Sequence, residues 1–205
     1  MSQANIAAFQ KKFKYHHGQL REALIESAQQ LLHTEGIEAL SLRTLAKSAG
    51  VTQAAPYSHF RDKDDLLATV AEAGFQRLAL QMAEDATGLK DTSTRVRALM
   101  TSYIRFACDN KALFRLMFGR EVADMKKYPT LAMTAGKSYS LISAALAKRE
   151  GDTEDTPILS VAVWSLCHGL TTLLLEDRIS IAQFGASSLQ EFVDKTAAMF
   201  EAKLV

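Results

Sequence analysis

Cys167 and His168 stand side by side, and a thiol beside an imidazole is the pairing from which nucleophilic catalysis is built. Adjacent residues on a helix point about 100° apart, however, so the two would not face each other as a dyad. No carboxylate stands at helical spacing to orient His168, and the chain has no glycine-rich phosphate loop and no H-E-x-x-H. We therefore assign no catalytic residue, no metal ligand and no cofactor. The only other cysteine, Cys108, is far away in sequence, which argues against a disulfide framework or a repeated C-x-x-C zinc site. A thiol-redox switch through Cys108 and Cys167 stays open as an alternative. It would need exposure or positive neighbours, and Arg105 and His168 are what the sequence offers.

The elements around these residues read as all-α. Apolar positions recur at helical spacing and nowhere alternate as a half-buried strand requires. A first helix is predicted from about 19 to 34, with Leu20, Leu24, Ala28, Leu31 and Leu32 on one face and Gly36 able to end it in a left-handed conformation. Ser41 is placed to cap a second helix striped by Leu42, Leu45, Ala46 and Ala49, and Gly50 stops it. Thr52 could cap a third short helix over about 53–60. Two helices separated by a few residues that include a glycine make a helix-turn-helix layout. Asp62 is placed to cap a long fourth helix reaching about Asp85, with Asp64 and Asp65 complementing its positive end and Leu66, Leu67, Val70 and Phe75 as its apolar contacts. Breaks near 88–94, 119–130, 151–157 and 177–187 divide the remainder into about five further helices. The division expected is a DNA-binding domain over 1–62 and a helical ligand-sensing and dimerisation domain over 63–205.

Charge supports that division modestly. Residues 1–63 hold eight Lys or Arg against five Asp or Glu, a net +3 in a chain whose total is +1, so the rest carries −2. An apolar share of 48% with 23% charged residues is that of a soluble globular protein, not a disordered tail or a membrane bundle. The first residues lack the apolar core of a secretory signal, so a cytoplasmic location is expected. Ile158–Leu175 reaches the lower length limit of a membrane span. Ser160, Ser165, His168, Thr171 and Thr172 favour instead a buried helix in a soluble bundle.

The segment SLRTLAKSAGVTQAAPYSHFRDKDDLL, Ser41–Leu67, is the most specific signal. Its S-L-R-x-L-A opening, A-G-V-T turn, Y-x-H-F close and following D-K-x-x-L-L resemble the tetracycline-repressor (TetR) family of bacterial transcriptional regulators, as does the preceding YHHGQLR of Tyr15–Arg21. Ala46 is small where two helices must approach closely, and Gly50 permits a turn that a β-carbon would oppose. Val51 and Phe60 are expected to anchor the small core. Pro56 lacks an amide hydrogen, but near the end of a first helical turn its cost should be small, and the A-A-P-Y form itself resembles one branch of the family.

If the third helix enters the major groove, Thr52 and the helix amides can meet phosphate, while Gln53, Ala54, Ala55 and Ser58 face base edges. The resemblance implies backbone contacts for Tyr57 and His59, although Tyr57 could be a core aromatic and His59 a surface residue. Lys63 lies where side-chain charge and helix dipole both attract phosphate. Ser41 and Arg43 could add contacts from the helix that crosses the backbone. Lys11, Lys12 and Lys14 could form a basic arm or remain solvated.

In the second half, Trp164, His168 and Gly169 resemble the W-x-x-x-H-G signature of a C-terminal domain found in some TetR-like regulators. Ala162, Ser165, Gly169 and Thr172 form a small-residue stripe, and Leu189, Phe192, Val193, Thr196, Met199 and Phe200 face a partner on the last helix. The family implies a homodimer through a four-helix interface, hence a pseudo-palindromic operator in double-stranded DNA. Half-site centres would then lie about 34–36 Å apart or at multiples of that. Tyr103, Phe106, Phe114, Met117, Phe118 and Tyr139, with Trp164 and His168, are candidates to line a pocket for a small apolar or aromatic ligand, against the alternative that they are ordinary core. The resemblance further implies a repressor whose ligand shifts the long fourth helix and lowers DNA affinity. A helical interaction module without DNA binding is the remaining alternative.

Overall fold

The computed structural model describes residues 20–122, 124–147 and 156–204, with 199–204 as backbone alone. The basic cluster Lys11, Lys12 and Lys14 lies outside the described residues. Eight α-helices and no strand are present among those described. They form two compact units. One holds the described chain through Ala73 together with Ala112–Met125, and the other holds Gly74–Lys111 and the described chain from Lys126 on.

In the first unit, helix α1 (Leu20–Glu35) buries Ala23, Leu24, Ser27, Ala28, Leu31 and Leu32, the two-column stripe its periodicity dictates. Gly36 ends it with a positive φ of 82° and an amide bonded to Leu32 O at 3.1 Å. Helix α2 (Leu42–Ala49) starts in a reciprocal capping box. Thr44 N donates to Ser41 Oγ at 3.1 Å, and the Ser41 amide donates to Thr44 Oγ1 at 2.9 Å. Gly50 closes the helix in the left-handed region, φ 68° and ψ 31°, and the Val51 amide reaches back to Ala46 O at 3.0 Å. Leu42, Leu45 and Ala46 are buried, and α2 packs on α1.

The third helical element is shorter and tighter than the sequence pattern predicts. It is a single 3-10 turn, Ala55–Ser58, that packs on α2. Pro56 has no amide to give an α-type bond to Thr52 O. That carbonyl instead accepts from Ala55 N at 3.0 Å, and the turn continues through Tyr57 N to Ala54 O at 3.2 Å. Thr52 supplies this carbonyl and not a side-chain cap; the residue preceding the turn, Ala54, has none to offer. Helix α3 (Lys63–Asp85) follows after Asp62, whose Oδ1 accepts from Asp65 N at 2.8 Å. Helix α5 (Lys111–Phe118) buries Leu113, Phe114, Leu116 and Met117.

The second unit is organised around α4 (Thr92–Asp109), capped by Asp91, which accepts from Thr94 N at 2.7 Å. It packs against α6 (Pro129–Leu146), α7 (Thr156–Leu175) and α8 (Leu189–Leu204). Because it is covered on several sides, α4 buries an unbroken run from Leu99 to Ile104, including Thr101 and Ser102. The run Ile158–Leu175, expected to be a buried helix, forms most of α7, yet only 28% of the apolar window of α7 is buried. Ile158, Val161 and Leu173 are exposed large hydrophobic residues, and Ala162, Ser165 and Gly169 beside them are exposed too.

Candidate nucleic-acid interface and sensing cluster

The scaffold of the first unit presents the 3-10 turn by burying its two apolar anchors, Pro56 and Phe60, and leaving its polar residues outward. Thr52, Gln53, Ala54, Tyr57 and Ser58 are exposed, while Ala55 and His59 are half-buried. Tyr57 is 61% exposed, which removes the core-aromatic alternative. The Ser58 hydroxyl donates to Ala55 O at 2.7 Å and so helps close the turn from which it projects. His59 meets Phe60 edge-on, with centroids 6.4 Å apart. Arg43 is exposed on α2, whereas the Ser41 hydroxyl is already engaged by Thr44, so a phosphate would have to share it.

Lys63 is the exposed first residue of α3. The helix end behind it is less open to an anion than the dipole alone suggests, because Asp62 already takes the Asp65 amide. Asp65 in turn accepts from Arg61 N at 3.0 Å through one oxygen and from Arg61 Nη2 at 3.1 Å through the other. Partial burial pushes the Asp65 carboxyl up, but the Arg61 hydrogen bonds, with the charges of Arg61 and Arg21, outweigh it and hold the group below the ordinary carboxylate value. The sequence marks Asp65 only as a charge complementing the start of this helix and gives Arg61 no role. The available signal was the Asp62-x-x-Asp65 spacing, which has the form of a capping box.

In the second unit, residues from three helices make one polar aromatic cluster. Tyr103 Oη of α4 lies 3.0 Å from His168 Nδ1 of α7. The Trp164 indole N–H donates to the same Oη. Trp164 stands 5.9 Å from His168 at an interplanar angle of 30° and 6.2 Å from Tyr139 of α6 at 81°. Burial, with Cys167 nearby, raises the Tyr103 phenol against the opposing Trp164 bond, and burial lowers His168, so both groups stay neutral at pH 7.

The eight predicted ligand residues thus do not form a single set. Tyr103, Tyr139, Trp164 and His168 come together. Phe106 is buried beneath the Arg77 guanidinium, 5.8 Å from its ring centroid. Phe114, Met117 and Phe118 lie on α5 in the first unit, with the two phenyl rings 4.7 Å apart. None of the eight lines the groove of about 510 Å³ between Gln76, Ala79, Leu80 and Ala83 of α3 and Lys137, Ser140 and Leu141 of α6.

Burial raises both thiols, Cys167 up to about 12 and Cys108 above its ordinary value, so neither is a thiolate at neutral pH. That weighs against a nucleophile and against redox sensing. No group of three metal-ligating side chains occurs among the described residues.

A capped helix, a left-handed glycine turn and an outward recognition turn, joined to a helical bundle, define a helix-turn-helix regulator. Residues 24–70 match "Bacterial regulatory proteins, tetR family", and residues 96–200 match "Tetracyclin repressor-like, C-terminal domain". The chain belongs to the tetracycline-repressor family and has the fold of its non-enzymatic DNA-binding regulators. Among relatives, the nucleoid occlusion factor SlmA of Salmonella typhi is 27% identical over 164 residues, covering 73% of this chain and 80% of its own. A Rhodococcus sp. RHA1 protein of unknown function superposes with a TM-score of 0.77 at 28% identity, covering 92% of this chain and 97% of that one. The transcriptional regulator FadR of Bacillus subtilis, solved in complex with stearoyl-CoA, shares the fold at a TM-score of 0.68 and 14% identity over 87% of this chain and 96% of its own.

Proposed function

We propose that this protein is a cytoplasmic, ligand-responsive repressor that binds a pseudo-palindromic operator as a homodimer, with residues 1–62 reading DNA and 63–205 sensing and dimerising. The observation that carries the reading is the exposed set Thr52, Gln53, Ala54, Tyr57 and Ser58 held on a buried, doubly capped scaffold. Gln53 and the small Ala54 and Ala55 meet base edges. Thr52, Tyr57, His59, Arg43 and Lys63 hold phosphates, with Ser41 in a shared role.

Dimerisation is supported by the exposed stripe of α7. Ile158, Val161, Ala162, Ser165, Gly169 and Leu173 recur at intervals of one helical turn opposite the buried stripe, and a second copy would cover them. Ligand sensing is supported by the Tyr103–Trp164–His168 network and by the buried hydroxyls of Thr101 and Ser102, which lack a hydrogen-bond partner among the described residues and would suit a ligand polar group or an ordered water. The stearoyl-CoA complex of the Bacillus subtilis neighbour supports an extended apolar ligand. Repression is relieved only if that ligand binds the DNA-incompetent state more tightly.

The test is selection from a randomised duplex pool, followed by titration of variants on the winner. A palindromic winner is expected. Lys63→Ala should weaken binding to every sequence and flatten the salt dependence, whereas Gln53→Ala should change which sequence is preferred. Absence of enrichment together with no binding at low salt would overturn the reading and leave a helical interaction module.

A further inference from the structure

Four cations and three carboxylates crowd into Ser41–Asp65: Arg43, Lys47, Arg61 and Lys63 against Asp62, Asp64 and Asp65. The carboxylates are out of place on a surface that meets phosphate, and two have defined work. Asp62 caps α3 through the Asp65 amide. Asp65 holds Arg61 twice, once at its backbone amide and once at its guanidinium, in an ion pair of 3.1 Å. The amide bond fixes the chain reversal between the recognition turn and α3. The guanidinium bond is of another kind, since the Arg61 side chain is 71% exposed and that of Asp65 21%. An exposed pair of this sort adds little to stability. What it does is occupy a long, exposed cation that sits between His59 and Lys63, both assigned to phosphate contact.

We propose that Asp65 is a positioning residue that restrains Arg61 in an intramolecular ion pair, withholding one phosphate contact per subunit and so limiting sequence-independent affinity for DNA. The inference rests on the DNA-binding reading of this same surface. A phosphate and the Asp65 carboxylate compete for one guanidinium, and a carboxylate four residues away is always present at high effective concentration. Neutralising Asp65 releases Arg61 from this ion pair and also removes a negative charge from the interface, and both changes favour nucleic acid of any sequence.

Asp65→Asn keeps an oxygen to accept the Arg61 amide while abolishing the ion pair. The full-length protein, Asp65→Asn, Arg61→Gln and the double variant are titrated across a salt series on the duplex enriched from the random pool and on an unrelated duplex of equal length. Asp65→Asn is expected to bind both duplexes more tightly at low salt, with log K falling more steeply against log[salt] by about 0.9 for each phosphate newly neutralised, about twice that for a dimer. The double variant is expected to return to the slope of the unmodified protein. Asp65→Asn with an unchanged slope, or Arg61→Gln alone flattening the slope, overturns the restraint while leaving the DNA reading intact. If the unmodified protein binds neither duplex, the DNA reading fails and the restraint falls with it. Thermal unfolding of Asp65→Asn coincident with that of the parent separates these outcomes from a misfolded turn.

Discussion

Helices α4 and α7 pack against each other in the second unit, yet they use their apolar residues in opposite ways. α4 carries four charged residues among its eighteen, Arg95, Arg97, Arg105 and Asp109, and still buries nine residues around much of its circumference. α7 has no charged residue in twenty and buries only Ser160, Val163, Cys167, Thr171 and Leu175, one narrow stripe. Composition alone would rank α7 as the deeper core helix. A largely apolar, uncharged helix covered on one side leaves its other side open, as the proposed dimer requires. α4 is instead the pillar of its own unit, covered by three other helices.

The largest expected effect strikes the uncovered side. Val161→Asp puts a charge where a second copy would seat. Loss of that contact, on the order of 3–5 kcal/mol for an uncompensated buried charge, should shift the protein from dimer to monomer in sedimentation equilibrium and abolish selection of palindromes. A persistent dimer would move the interface elsewhere. Leu99→Ala on the covered helix should instead leave a cavity and lower stability to urea by about 2–4 kcal/mol, and each subunit that remains folded should still associate. A smaller change, Tyr103→Phe, acts where the two helices meet. It removes the hydroxyl that serves Trp164 and meets His168 Nδ1 at 3.0 Å, at a cost of about 1–3 kcal/mol, with a shift in Trp164 fluorescence as its direct readout.

His168 also sets a pH signature for this contact. Its folded value lies below the ordinary 6.5, so between the two the unfolded chain binds a proton that the native one refuses. Stability is therefore full above about pH 6.5 and declines as pH falls through that value toward the folded one. If Nδ1 accepts the phenolic hydrogen, Tyr103→Phe lets His168 protonate more readily and the decline should shrink. An unchanged profile would show that burial alone, and not the Tyr103 bond, keeps His168 neutral.

Much of the first unit was legible because its signals are local. Ser41 capped as its type and position required, Gly50 took the left-handed turn that stops α2, and Asp62 closed the start of α3. Each is a bond between residues no more than five apart, which a single chain displays directly. The shape of the recognition turn was harder to read. Helical periodicity over 53–60 suggested an α-helix, but removing the Pro56 amide changed the bonding to i, i+3 and confined the element to four residues. Asp65 reads from the sequence as a charge at a helix start, but its pairing with Arg61 does not, because which amide and guanidinium a carboxylate reaches is a matter of turn geometry and not of residue type.

The ligand candidates show the other side. Aromatic and sulfur-bearing side chains at helical spacing say that a residue is inside, but not what it touches. Tyr103 and His168 are separated by 65 positions in the chain and 3.0 Å in space, while Phe106, only three residues from Tyr103, is covered by Arg77. By itself the sequence determined the helix-turn-helix layout, the roles of Ser41, Gly50 and Asp62 at its helix ends, and the family, since all of these depend on short-range chemistry repeated in order. Which aromatic residues meet, and which face of α7 stays open, was decided only by the tertiary packing of α4 against its neighbours, because burial is a property of the assembled surface and not of any one helix.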